Sequence, residues 1–167
     1  RAMAAVEIKR PEQPLAPYLG GRGQLLQNNG VAARSSLQRA LALDASYFPA
    51  IANLATMDLM DNMPQEARKR FEAVLQKDPK NRLALLALAD LAALTGAPRD
   101  DVIRLLGNAI TANPLDVVAR LRLIELYLRE KDGKAATSAA QNAVTALPDE
   151  PRLVDALGRS QKAAGEN

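Results

Sequence analysis

The amino-acid sequence predicts an all-α solenoid of antiparallel helix pairs, with about nine helices. Three observations carry that expectation. Prolines fall at Pro11, Pro79, Pro114 and Pro148, separated by 68, 35 and 34 residues, and Ala45, after Leu43-Asp44, stands at the midpoint of the first gap. A second set of helix breakers lies halfway between these stops. The composition is 48% hydrophobic but only 3% aromatic, so a core must be built from Ala and Leu, the residues of highest helix propensity. Proline suits the stops because it lacks an N–H and cannot continue a helix.

Residues 1–13 read as the end of a preceding repeat, with Arg1 to Arg10 closing its second helix. In repeat 14–47, Gly20, Gly21 and Gly23 weaken the first helix, Asn28-Asn29-Gly30 reverses the chain, and Ala33-Leu37-Ala40-Leu41 marks the apolar face of the second. Repeat 48–81 carries Ile51-Leu54-Ala55, the breaker Asn62, and Ala67-Phe71-Val74-Leu75. Repeat 82–116 carries Leu85-Leu88-Ala89 and the breaker Gly96-Ala97-Pro98. It has one extra residue near Ala97 to Asp101, with Val102 where a small alanine is expected. Repeat 117–150 reverses at Lys131-Asp132-Gly133 and continues with Ala136-Ala140-Ala143-Val144. Residues 151–167 supply a first helix with Val154-Leu157-Gly158, ended by Gly165 and lacking its mate. The i, i+3, i+4 and 0, 4, 7, 8 spacings each place the apolar residues on one helix face. Gly and Asn at the breakers tolerate left-handed backbone at low cost.

These residues resemble the tetratricopeptide (TPR) repeat, whose pattern is W-x-x-L-G-x-x-Y, then A-x-x-x-F, then P in a period of about 34 residues. Ile51, Leu54, Ala55, Ala67, Phe71 and Pro79 match it in one repeat. Arg120, Leu123, Ile124, Tyr127, Ala136, Ala140 and Pro148 match it with more departures in another, and Asp58 replaces the usual aromatic. The resemblance covers essentially the whole chain. It implies a TPR-like α-solenoid that binds proteins and is not an enzyme. Tyr47-Phe48-Pro49-Ala50, Phe71 to Leu75, Leu85 to Leu91 and Leu157-Gly158-Arg159 are further similar to the TPR-repeat lipoproteins of bacterial PEP-CTERM and exopolysaccharide systems. That likeness implies a periplasmic or outer-membrane-anchored parent serving surface-protein sorting or exopolysaccharide export. Without it, a cytoplasmic location is the expectation. Because the chain opens at Arg1 inside what reads as helix, it is expected to be an excised fragment with its parent's targeting signals elsewhere.

The composition narrows the chemistry. There is no Cys and no His, which removes thiolate and imidazole as metal ligands, nucleophile or proton shuttle. No Gly-rich phosphate loop or ligand cluster is visible, so neither a cofactor nor a reaction is expected. With 22 Lys plus Arg against 19 Asp plus Glu, polyanion binding is weakly supported. Tyr18, Tyr47, Phe48 and Tyr127 are too scattered to stack bases, so no nucleic-acid partner is expected. The longest apolar run, Leu83 to Leu94, is too short to cross a bilayer, and no membrane contact by this segment is expected.

Two charged groups have structural readings. Asp100 and Asp101 are expected to cap the helix that follows them. Arg120, Arg122, Arg129, Lys131 and Lys134 are interspersed with Glu125, Glu130 and Asp132, which predicts a solvated face paired at helical spacing. The functional signal is excess hydrophobicity. Arg82 to Thr95 is apolar around most of its circumference. On the concave surface that the resemblance assigns to first helices, Leu59, Met60, Leu83, Leu86, Asp90, Leu94, Leu121, Glu125 and Leu128 become the candidate binding residues, with Val118 beside them. Two readings stay open: an apolar groove for a protein or peptide partner, or side chains buried by superhelical packing. The TPR class that clamps a carboxylate uses Lys, Asn and Arg on that surface, where this chain has Ala52, Thr56, Leu86 and Asp90, so that activity is not expected. The alternative is a carbohydrate- or polyanion-recognition module of the same export system. The uncapped end at residues 151–167 predicts self-association.

Overall fold

A computed structural model of the chain describes residues 13–165; the helix expected over Arg1 to Arg10 lies outside them. The described residues form nine α-helices and no strand: α1 Leu15–Leu26, α2 Gly30–Leu43, α3 Phe48–Met60, α4 Pro64–Lys77, α5 Arg82–Leu94, α6 Arg99–Ala112, α7 Val117–Arg129, α8 Gly133–Ala146 and α9 Pro151–Ala164. They fall into two compact units, divided between Ala67 and Arg68.

The turns within repeats share one construction. Asn29 N–H donates to the Gln24 carbonyl, Met63 to Asp58, Ala97 to Ala92 and Asp132 to Tyr127, each at 2.7–2.9 Å. This bond reaches back five residues, and the residue just before its donor, the second after the helix, is left-handed. That residue is Asn28 (φ 57°), Asn62 (59°), Gly96 (71°) or Lys131 (59°). Gly30 and Gly133 do not make the reversal; they begin α2 and α8. The extra residue of repeat 82–116 is absorbed in the turn before α6, whose N-cap is Pro98 with no side-chain cap. Asp100 and Asp101 therefore do not cap, contrary to expectation. They stand in the first turn of α6, where their charge still complements the helix dipole.

In the first unit, Ala33, Leu37 and Ala40 of α2 meet Ala50, Leu54 and Met57 of α3 in one apolar cluster. The glycines expected to weaken α1 include one with a packing role. A Cβ on Gly21 would come within 2.9 Å of Leu37 Cγ and 3.2 Å of the Ala33 carbonyl oxygen, so glycine sets how closely α1 approaches α2. Tyr18 and Tyr47 pack edge to face at 5.3 Å. Asp58, at the usual aromatic position, is buried with its carboxylate 2.7 Å from Arg34 of α2, and Arg34 also reaches Asp61 at 2.7 Å. The hydrogen bond to Asp58 is the main cause raising the Arg34 pKa above its ordinary value.

In the second unit, α5 packs on α6, α6 on α7, α7 on α8, and α9 on both α8 and α7. Val102 and Leu106 of α6 fill against Ala89 and Ala92 of α5. Ile124 of α7, Ala140 and Ala143 of α8, and Leu153 and Ala156 of α9 form the next cluster. Leu37, Leu54, Ile124 and Leu153 are all fully buried, each contributing on the order of 1.5–3 kcal/mol by leaving water.

Candidate protein-binding face

Two first helices of the second unit, α5 and α7, carry most of the residues singled out in the sequence. Leu94 is 73% exposed and Leu83 46%, whereas Leu86 is only 5% exposed. Leu86 belongs to a core cluster with Leu85, Ala109 and Ala119, and Arg122 Nη1 donates to its carbonyl oxygen at 3.4 Å. The expectation that Leu86 offers an accessible groove anchor is therefore corrected. With α6 and α7 both against α5, its excess hydrophobicity is partly core. Leu121, Leu128 and Val118 are half-buried, and Glu125 and Asp90 are exposed. In the first unit, Met60 is 79% exposed and Leu59 half-buried, both at the end of α3.

Two clefts open on this face, one repeat apart. Between α5 and α7 the floor is Ala89, Val102, Leu106 and Leu126, while Leu94 and Arg129 stand at the rim with Asp90 and Arg122. Between α7 and α9 the cleft runs over Leu121 and Ala156, beside Glu125 and Arg159. Opposite charges bridge consecutive first helices across these clefts. Arg122 of α7 pairs with Asp90 of α5 at 2.8 Å, and Arg159 of α9 pairs with Glu125 of α7. Loss of hydration pushes the Asp90 pKa up and Arg122 partly opposes it; the hydrogen bond to Glu125 raises that of Arg159.

The same one-repeat reach recurs at the helix ends. Arg99 binds both Glu130 and Asp132 and lies over the Tyr127 ring at 5.4 Å. Arg82 Nε lies 2.7 Å from the buried Asp116, whose carboxylate also accepts the Val118 N–H at 2.9 Å. Asp132 accepts the Ala135 N–H, and that bond, with Arg99, lowers its pKa. The acids among Arg120–Lys134 thus pair with neighbouring repeats, not along their own helix as expected. The missed signal was opposite charges 31 to 34 residues apart, one repeat length. Arg129, Lys131 and Lys134 carry no ion pair among the described residues.

No group of three His, Cys, Asp or Glu able to hold a metal occurs among the described residues, and no described helix is long and apolar enough to cross a membrane.

No family model matches the chain, and no curated protein matches it. Solved structures do. A tetratricopeptide repeat protein from Parabacteroides merdae is similar with a TM-score of 0.65 at 17% identity, over 91% of this chain and 60% of that one. A thermophilic TPR protein of Thermus thermophilus gives 0.60 at 18% identity, over 92% and 84%. A MamA structure from Desulfovibrio magneticus gives 0.60 at 16% identity, over 94% and 89%. Likeness at this level of identity speaks to the fold alone: the chain has an all-α, TPR-like architecture of antiparallel helix pairs.

Proposed function

We propose that this chain is a non-enzymatic interaction scaffold that holds a segment of a protein partner in the α5–α7 cleft and its neighbour between α7 and α9. The observation that carries this reading is the pairing of an apolar floor with an exposed apolar anchor, Leu94, and a cation that has no counter-ion among the described residues, Arg129, at one rim. An apolar segment bearing a carboxylate satisfies both. Leu94 and Arg129 stand exposed at the rim, outside the core cluster that forms the floor, so they can be altered without loss of folding. Peptides selected from a displayed random library on the purified chain are expected to bind, and Leu94→Lys and Arg129→Glu are each expected to weaken them at least tenfold while the melting temperature holds. Selected peptides that bind both variants like the parent would refute the site.

The polyanion alternative has less support, because Arg99, Arg122 and Arg159 are already neutralised by carboxylates. It requires affinity for an acidic polysaccharide that falls steeply between low and moderate salt, while peptide binding over an apolar floor should change little. A role in surface-protein sorting or exopolysaccharide export, from a periplasmic or lipid-anchored parent, is proposed on the sequence resemblance. Membrane fractionation of the parent protein tests it, and purely cytosolic recovery would reject it.

A further inference from the structure

We propose that the groove between α6 and α8 is a second docking surface, which takes an acidic amphipathic helix of a partner protein. α7 forms its floor with Leu123 and Tyr127, Ile110 of α6 stands on one side, and Ala135, Ser138 and Ala139 of α8 on the other, around a volume of about 350 Å³. α6, α7 and α8 each pack on both of their neighbours in sequence, so the groove lies inside the unit, between two complete repeats. Its apolar residues are held from behind. Leu123 packs against the cluster of Val102 and Leu106, and Ala139 against that of Ile124 and Ala140. Arg99, itself bound to Glu130 and Asp132, lies over the Tyr127 ring at 5.4 Å and fixes that end.

Charge and spacing identify the occupant. Among the described residues that line the groove, Arg120 is the one with a charge. Its Nε and Nη2 donate to the Pro114 carbonyl at 3.1 and 2.7 Å, which fixes the guanidinium at one end and leaves it without a carboxylate partner among the described residues. Lys134, next to Ala135 at the other end, is exposed and also has no ion pair among them. The nearby acids are already engaged, Glu130 and Asp132 by Arg99 and Asp101 by Arg104. An anionic partner is the match. Arg120 to Tyr127 and Ala135 to Asn142 are each seven residues, or about 10.5 Å of helix. In a partner helix, residues i and i+7 stand that far apart on one face with i+3 and i+4 between them. Acids at the outer positions then reach Arg120 and Lys134, while apolar residues at the inner ones cover Leu123 and Ala139. An extended segment spans the distance in about three residues, which turns its two ends to opposite faces. Arg120, Leu123 and Tyr127 lie about 200° around α7 from Arg122, Glu125 and Arg129, and the groove shares no lining residue with the α5–α7 cleft. Either reading can therefore fail alone.

The probe is a fluorescent synthetic helix with Glu at i and i+7 and Leu at i+3 and i+4, titrated with the full chain by anisotropy. It is expected to bind, and replacing both Glu by Lys, or both Leu by Ser, should each weaken it at least tenfold. Ser138→Gln enters the groove from an exposed position, and Lys134→Glu reverses the charge at its far end. Each should weaken the probe at least tenfold with the melting temperature unchanged, whereas Leu94→Lys, in the other cleft, should leave it alone. Arg120→Glu should transfer the preference to the Lys-bearing probe, an exchange that loss of folding cannot produce. Three results would overturn the proposal: a Glu-bearing probe that does not bind at any concentration, binding that Ser138→Gln and Lys134→Glu leave unchanged, or binding indifferent to the leucines, which would mark a polyanion site instead.

Discussion

α3 in the first unit and α5 in the second meet the same structural demand in different ways. The repeat pattern places an aromatic one turn after the small residue of the first helix, and neither helix has it. In α3 the position is Asp58, buried and bound to Arg34 of the preceding helix. In α5 it is Ala92, and the space is filled from the other side by Val102 of α6, which stands where a small alanine is expected, together with Leu106. One solution is ionic and draws on the preceding repeat; the other is apolar and draws on its own second helix and on Leu126 of the following repeat. Missing volume at a repeat position is thus restored by whichever neighbour can reach it, and the two regions should respond differently to mutation.

The largest effect is expected in α5. Leu86→Lys places an ammonium among Leu85, Ala109 and Ala119, and burial of an unpaired charge together with lost packing should cost roughly 3 kcal/mol or more. The same change at Leu94, on the exposed end of α5, should stay within about 0.5 kcal/mol. Urea unfolding of the two variants measures the difference. Equal midpoints would mean that α5 is no more buried at Leu86 than at its end.

The ionic solution in α3 comes next. Asp58→Ala removes the buried half of a pair whose other half, Arg34, is 26% exposed and keeps Asp61. The loss should be about 2 kcal/mol, below the 3–5 kcal/mol of a fully buried pair. Asp58→Ala combined with Arg34→Met should cost less than the two single changes summed, because no cation is then left unpaired. A strictly additive cycle would show that the pair is not coupled, and the contrast with α5 would collapse.

How much of this was legible in the sequence depends on whether the signal was local. Each helix was foreshadowed by its own residues, since prolines and Asn/Gly breakers act on the backbone where they stand. The pairing partners were not, because Arg34 and Asp58 lie 24 residues apart and Asp90 and Arg122 lie 32 apart, and composition along one helix cannot show them. Leu86 was misplaced for a related reason. A helix apolar around most of its circumference does not reveal which side its neighbours take, and here α6 and α7 take the side that includes Leu86. Gly133 was read as a chain reversal, yet its reason lies in α9. A Cβ there would sit 2.6 Å from the Ala164 backbone nitrogen and 2.7 Å from the Ala163 carbonyl oxygen.

That approach gives the third prediction, which sets α8 against α9. Gly133→Ala should cost about 1.5 kcal/mol, since main-chain atoms of α9 must shift to admit the methyl group. Gly158→Ala, in open space, should instead stabilise by about 0.5–1 kcal/mol through helix propensity. Amide exchange should localise the first effect to the last turn of α9. Unchanged protection there would show that the contact contributes little.

The smallest effect extends the comparison to the turns that end α3, α5 and α7. The left-handed residue is Asn62 after α3 and Gly96 after α5, but Lys131 after α7. A side chain with a Cβ crowds the following carbonyl in that conformation, at roughly 1–2 kcal/mol, and Asn and Gly relieve it in different ways. Lys131 makes no ion pair among the described residues to offset the strain, and the turn's hydrogen bond, Asp132 N–H to the Tyr127 carbonyl at 2.9 Å, is made by the backbone alone. Lys131→Gly should therefore raise stability, though by only about 0.5–1 kcal/mol, because the added freedom of glycine in the unfolded chain takes back part of the gain. Lys131→Asn should recover a smaller share. In Gly96→Lys the sign should reverse, with a loss of about 1 kcal/mol at the equivalent place. Thermal melts of the three variants decide it. If Lys131→Gly destabilises the chain, the lysine contributes a favourable interaction at that turn, and the equivalence of the three turns does not extend to their energetics.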